Sequence, residues 1–163
     1  MTEETADRLR RLRHVIDSVL EEVGSKRIRP DAASVRRFCE LIGEDNPVYF
    51  DDDAARKLGY PGALVPQSYL LTLLSPPVEE LFIVGAEKLF SGLVRGVIHT
   101  ESEVVYLKPL LVGESYVLRL ESESLREKRG RKGDYYVWVL RAIVSSEAGE
   151  EMAYDRHTFF MKI

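Results

Sequence analysis

Four segments in the second half of the chain read as strands, two of them by alternation of apolar residues, and one helix-length segment just before them is apolar on nearly every side. Glu114–Glu123 alternates, with Tyr116, Leu118 and Leu120 on one face and Arg119 and Glu121 on the other. In Asp134–Ser146 the residues Tyr136, Trp138, Leu140, Ala142 and Val144 share a face. Arg95–Leu107 spaces its apolar residues evenly, and Met152–Ile163 is rich in aromatic and β-branched side chains, which suit a pleated, half-buried surface. The segment before them, Val65–Leu74, opens with Pro66, whose missing N–H has no helical partner in a first turn. A helix apolar all round belongs inside a protein. A sheet that curls around it buries both apolar surfaces at once, so the order predicts an α+β architecture.

The first half supplies shorter elements. Leu9, Leu12, Ile16, Val19 and Val23 recur at three- and four-residue steps, which predicts an amphipathic helix over residues 4–22. Its four arginines, Arg8, Arg10, Arg11 and Arg13, lie between those positions and read as a solvated face. A short extended piece, Ser25–Arg29, leads to Asp31 as the N-cap of a helix whose face is Val35, Phe38, Cys39 and Ile42. Gly43 ends that helix, and Asp51–Asp53 caps a short one that Gly59 closes. Ser75-Pro76-Pro77 is expected to end the buried helix; residues 78–94 show only a helical turn near Glu79–Val84 and a loop at Ser91-Gly92. Leu125–Gly133 reads as a hairpin connection with a basic cluster, Lys128, Arg129, Arg131 and Lys132, and Ala148-Gly149 as the next turn. At 163 residues the chain fits one domain, over 24–163, preceded by the helix of residues 1–23.

Composition excludes several classes. Lys and Arg number 23 against 27 Asp and Glu, and that net charge of −4 argues against a nucleic-acid-binding domain. The longest unbroken apolar run, Tyr135–Leu140, is too short to cross a bilayer, and the N-terminus lacks the apolar core of a signal peptide. The single cysteine, Cys39, can form no internal disulfide, which makes a reducing cytoplasm the expectation. There is no glycine-rich phosphate loop and no nucleophile elbow. The three histidines, His14, His99 and His157, are far apart in sequence, so neither a metal nor a cofactor is expected.

The segment Phe38–Ala55 holds a polar turn, Gly43-Glu44-Asp45-Asn46-Pro47-Val48-Tyr49, followed by three aspartates. Asn-Pro and Asp runs occur in turns for local reasons alone. Here, however, Phe38, Leu41, Gly43, Asn46, Pro47, Val48 and Ala55 stand at the positions of the hydratase motif of the MaoC-like family, the (R)-specific enoyl-thioester hydratases and dehydratases. Leu58–Pro66, Val97–Glu101, Leu107–Leu110 and Gly113-Glu114 extend the similarity, which covers roughly residues 24–163. The chain resembles the branch of that family typical of fatty-acid-synthase dehydratase regions, in which a Val-Pro pair like Val65-Pro66 leads into the central helix.

The resemblance implies a hotdog fold: an antiparallel sheet wrapped around a buried central helix, with the N-terminal helix as an addition. It implies binding of an acyl thioester of coenzyme A or acyl carrier protein, addition or removal of water across the 2,3 double bond, and a homodimer or a heterodimer with a second hotdog subunit. The family's Asp and His are replaced here by Glu44 and Tyr49. Glu44 keeps the carboxylate on a longer arm, Asp45 is its neighbour, and Tyr49 is a donor but a poor proton shuttle near neutral pH. The resemblance further assigns Asn46 to positioning water and the amides of Gln67 and Ser68 to holding the thioester oxygen. His99 is either a hydrogen-bonded strand residue or a group facing the pocket. Arg119, Arg141 and Arg156 are candidates for meeting nucleotide phosphates or for solvent-facing sheet residues. Two versions follow: an active hydro-lyase using Glu44, or a non-catalytic substrate-binding subunit of a heterodimeric dehydratase. An acyl-CoA thioesterase ranks below both, because residues 66–74 contain no acidic side chain.

Overall fold

In a computed structural model that describes residues 3–130 and 133–163, one five-stranded antiparallel sheet organises the chain. Its strands are β1 (Lys26–Ile28), β2 (Gly96–Tyr106), β3 (Tyr116–Gly130), β4 (Gly133–Ser146) and β5 (Glu151–Lys162), in the order β1-β3-β4-β5-β2. The helices are α1 (Glu3–Val23), α2 (Ala32–Ile42), α3 (Asp52–Lys57) and α4 (Leu70–Leu89), and α4 lies in the sheet's concave face. This is the hotdog arrangement that the resemblance implies, and the α+β class follows from the element order.

Capping fixes the early helices. The Asp31 carboxylate accepts from the Ser34 amide at the start of α2, and Gly43, at φ 72°, closes it in the left-handed region that only glycine enters without strain. Asp51 caps α3 by accepting from the Asp53 and Ala54 amides.

The apolar side of α4 enters two clusters. Leu70 and Leu74 meet Tyr69, Tyr116, Leu118, Ala142, Val144 and Ala153 at one end. Leu81 and Leu89 meet Tyr136, Trp138, Leu140, Phe159 and Met161 at the other. The second cluster also takes Leu12, Ile16, Val19 and Val23, so α1 packs on α4 and on β3. Each such side chain contributes about 1.5–3 kcal/mol of burial.

Three expectations need correction. Ser75-Pro76-Pro77 does not stop the central helix, which continues to Leu89. Each proline removes one helical hydrogen bond at a cost of about 3 kcal/mol, and burial of Pro77, Leu81, Gly85 and Leu89 offsets it. The connection placed at Leu125–Gly133 is mostly strand: β3 runs on to Gly130 because Leu125 is buried in the cluster that α1 caps. Lys128 and Arg129 therefore sit on a strand end, while Arg131 and Lys132 lie outside the described residues. Finally, Gln67–Leu89 is by length and composition apolar enough to cross a membrane, with a mean hydropathy of 1.3 over an 18-residue window; six residues of α4, Gly85 among them, are nevertheless buried inside the protein.

β2 is an edge strand eleven residues long. It carries a bulge: His99 opposes Phe159 and Glu101 opposes Thr158, which leaves Thr100 as the extra residue. The bulge places Val97, His99, Ser102, Val104 and Tyr106 opposite Met161, Phe159, His157, Asp155 and Ala153, all on the concave side.

Candidate functional site

The 3-10 turn Pro47–Tyr49 begins where Asn46 ends the extended backbone; its side-chain oxygen accepts from the Val48 amide at 3.1 Å. Val48 is buried and its carbonyl accepts from Leu64, which ties this turn to the approach to the central helix. Asp52 holds the same approach from the other side, accepting from the Ala63 amide at 2.9 Å. Val65 then donates to the Leu110 carbonyl and Ala63 receives the Val112 amide, so residues 63–65 are clamped against 110–112. Gln67–Tyr69 form a 3-10 turn that continues into α4. The amides of Gln67 and Ser68, first in that turn, have no backbone acceptor among the described residues.

These segments enclose a cleft of about 440 Å³, lined by Tyr49, Tyr60, Val65, Gln67, Leu70 and Tyr106 among others. The Tyr106 hydroxyl, on β2, donates to the Gln67 carbonyl and so fixes the helix start against the edge strand. Burial, with the nearby Glu44 charge second, pushes the Tyr49 hydroxyl above the ordinary tyrosine range, so it stays protonated and keeps a proton to donate at neutral pH. Burial raises Tyr106 as well, with Asp155 adding to it.

The structure thus brings Tyr49 and Gln67 to one cleft, with Ser68 next to Gln67. Glu44 is half-buried and is not among the lining residues, and its carboxylate folds back to accept the Asn46 amide at 2.9 Å. Asp45 is exposed, and the Asn46 side chain is engaged as a cap. His99 does not reach this cleft. Its Nε2 meets the Glu101 carbonyl at 2.9 Å, the Ser102 hydroxyl at 3.2 Å and His157 Nδ1 at 3.3 Å. Tyr60 and Tyr106, which wall the cleft, were not among the sequence candidates; Tyr60 lies inside the segment 58–66 and Tyr106 directly precedes Leu107–Leu110, both of which carry the family resemblance.

Arg119, Arg141 and Arg156 are each held by glutamates. Arg119 and Arg141 share Glu151 at 3.1 and 3.0 Å, and Arg156 bridges Glu103 and Glu123, all by ion pairs across the sheet. No group of three or more His, Cys, Asp or Glu residues arranged to hold a metal occurs among the described residues.

With this geometry in view, residues 21–154 match the family model described as the FAS1-like dehydratase domain region. The chain belongs to that family. A UPF0336 protein of Streptomyces avermitilis is 28% identical over 118 residues, which cover 72% of this chain and 74% of that protein. A UPF0336 protein of Mycobacterium leprae is 30% identical over 99 residues, 58% of this chain and 55% of its own length. Among solved structures, the ChsH1-ChsH2 complex from Mycobacterium tuberculosis aligns at TM-score 0.65 and 20% identity, covering 93% of this chain and 90% of that one. The HadBC (3R-hydroxyacyl-ACP dehydratase) complex from the same organism aligns at 0.61 and 21%, covering 83% and 90%. The (R)-hydratase from A. caviae involved in PHA biosynthesis aligns at 0.58 and 19%, covering 83% and 91%. At these identities the structural likeness establishes the hotdog fold. As a member of the FAS1-like dehydratase region family, the chain carries its cleft where the motif turn, the helix start and the edge strand meet.

Proposed function

We propose that this protein binds acyl thioesters of coenzyme A or acyl carrier protein in the cytoplasm, as a hotdog of the (R)-specific enoyl-thioester hydratase, or 3-hydroxyacyl dehydratase, type. The observation that carries the reading is the cleft itself: Tyr49 from the motif turn faces the free amides that open the central helix. A thioester oxygen held by the Gln67 and Ser68 amides sits in a ready-made oxyanion site. Water placed by Asn46 and Tyr49 adds its oxygen to C3 while Glu44 takes its proton, and the same proton passes to C2. The step consumes no cofactor.

The experiment is hydration of a panel of trans-2-enoyl thioesters by the purified chain, followed as loss of the conjugated double-bond absorbance. Turnover that falls by roughly 10²–10⁴-fold in Glu44→Gln supports Glu44 as the base. Turnover unchanged in that variant overturns the assignment.

One observation favours a second version, a non-catalytic substrate-binding subunit of a heterodimer. The Glu44 carboxylate is turned onto the Asn46 amide rather than into the cleft. The long free edge of β2 offers a second hotdog subunit eleven residues of backbone to pair with, and the exposed apolar Ile98 lies on that strand. No turnover from the folded chain alone, and turnover on adding a hotdog subunit with an intact Asp and His, would decide for this version.

A further inference from the structure

Tyr106 ends β2 and walls the cleft, and its hydroxyl donates to the Gln67 carbonyl, 39 residues away in sequence. That oxygen is satisfied without it, because the Leu70 N–H already donates there, as the 3-10 turn requires. A carbonyl has two lone pairs, and the side chain from the sheet takes the second. Nor does the tyrosine need the bond. The residue is 36% exposed, and water would serve its hydroxyl as well.

What the bond changes lies on the other side of the peptide. The Gln67 carbonyl and the Ser68 N–H belong to one planar trans unit, so they point in opposite directions and turn together. Holding the oxygen therefore fixes the aim of the Ser68 N–H, which has no backbone acceptor among the described residues. It also polarises that N–H, since linked hydrogen bonds strengthen one another by about 10–30%. The hold is firm because Tyr106 is opposed by Ala153 in the sheet and the next residue, Leu107, donates to the Met152 carbonyl. The neighbouring unit is built differently. The Pro66 carbonyl shares its plane with the Gln67 N–H and accepts from the Tyr69 amide at 2.9 Å, a bond within the turn itself. Of the two amides, Ser68 is the one whose aim depends on a residue of the edge strand.

We infer that Tyr106 is a positioning residue for the thioester carbonyl, acting through the peptide between residues 67 and 68 on the Ser68 amide. This rests on the acyl-thioester reading above, in which the Gln67 and Ser68 amides hold that oxygen. Tyr106 itself makes no bond to the reacting atoms. An oxyanion donor works only when it is aimed in advance at the place where charge develops, and the strand supplies that aim.

The test separates the carbonyl from the rest of the ligand. Butyryl-CoA and S-butyl-CoA, a thioether that lacks only the carbonyl oxygen, are titrated by calorimetry into the full chain and into Tyr106→Phe. The wild type is expected to prefer the thioester by roughly tenfold. Tyr106→Phe keeps the ring and the Leu70 bond to Gln67, so its Tm should match the wild type. Its preference for the thioester is expected to fall by about threefold or more, with S-butyl-CoA bound as before. A second readout is the infrared stretching band of the bound thioester carbonyl, labelled with carbon-13, which a packing role would not move. That band should lie below the free-ligand position in the wild type and shift back towards it in Tyr106→Phe. An unchanged preference and band overturn the inference and leave the acyl-thioester reading standing. Equal weakening of both ligands overturns it in favour of simple packing. A wild type that binds both ligands alike, or neither, overturns the amide-held thioester and the inference with it.

Discussion

Replacing Gly85 tests how α1 is attached to the hotdog. Gly85 is buried on α4 at the crossing with α1, and a Cβ there would stand 3.2 Å from Val19 Cγ1 and 3.2 Å from Leu89 Cδ1. For Gly85→Ala two effects oppose: alanine stabilises a helix interior by about 0.5–1 kcal/mol, while neighbours must give by a few tenths of an ångström. The net change is expected near zero. Gly85→Val adds two methyl groups beyond that Cβ, in a space α1 already fills. Overpacking of this kind costs about 1–3 kcal/mol and exceeds the smaller helix gain of a β-branched residue. A net loss of about 2 kcal/mol lowers Tm by roughly 4–8 °C at this chain length. The assay is calorimetric unfolding of the wild type, Gly85→Val, Val19→Ala and the double variant. Val19→Ala makes room beneath the new methyl groups, so the double variant should recover about 1 kcal/mol relative to additivity. Additive losses, or a Gly85→Val protein that melts with the wild type, would refute the packing of α1 onto α4.

Asp155→Leu should lower thermal stability by about 1–3 kcal/mol, since it takes away the carboxyl group 3.4 Å from the buried His157 Nε2 and leaves that nitrogen without a polar neighbour; an unchanged or higher Tm would refute the pairing. Ser122→Ala removes the acceptor of the Trp138 indole N–H, which it meets at 2.9 Å, and a loss of about 1–3 kcal/mol in urea unfolding is expected; an unchanged midpoint would refute that role. Burial, and secondarily His99, holds the His157 pKa below its ordinary 6.5, although Asp155 opposes this. The unfolded chain then binds more protons between the folded value and 6.5, so stability from this group is complete above about 6.5 and is lost as pH falls through the folded value. Urea midpoints at pH 7.5 and 5.5 should differ less in His157→Gln than in the wild type; equal differences would refute it.

Local signals made much of the fold legible. Asp31, Gly43 and Asp51 act in the structure through the same atoms that make them caps in a sequence, because capping needs only neighbours within a few residues. Even-numbered spacing identified β2, β3 and β4 for the same reason, and aromatic and β-branched composition identified β5. The central helix was misread at Pro76 and Pro77, where a local rule about missing donors met a larger non-local term, burial under the sheet. Of the site, Tyr49 and Gln67 were reachable through the motif turn and the helix start. The polar pair Asp155 and His157 on the concave face was not, because its positions between Ala153 and Phe159 follow the strand's alternation while its polarity hides it, and only the register with β2 sets Ser102 beside it.

The bulge at Thr100 makes the concave polar cluster a matter of counting. His99 and Ser102 are three residues apart, an odd interval that in a regular strand would send them to opposite faces. The inserted residue shifts the phase of the strand by one, and only upstream of that point. A strand that kept Thr100 but lost the bulge would leave every side chain of the cluster in the chain and yet turn His99 outward, bringing Thr100 in against Phe159. The polar cluster is thus written in a backbone irregularity as much as in residue types. A relative with the same histidine and serine at the same odd interval, but with no bulge between them, would hold the letters without the word.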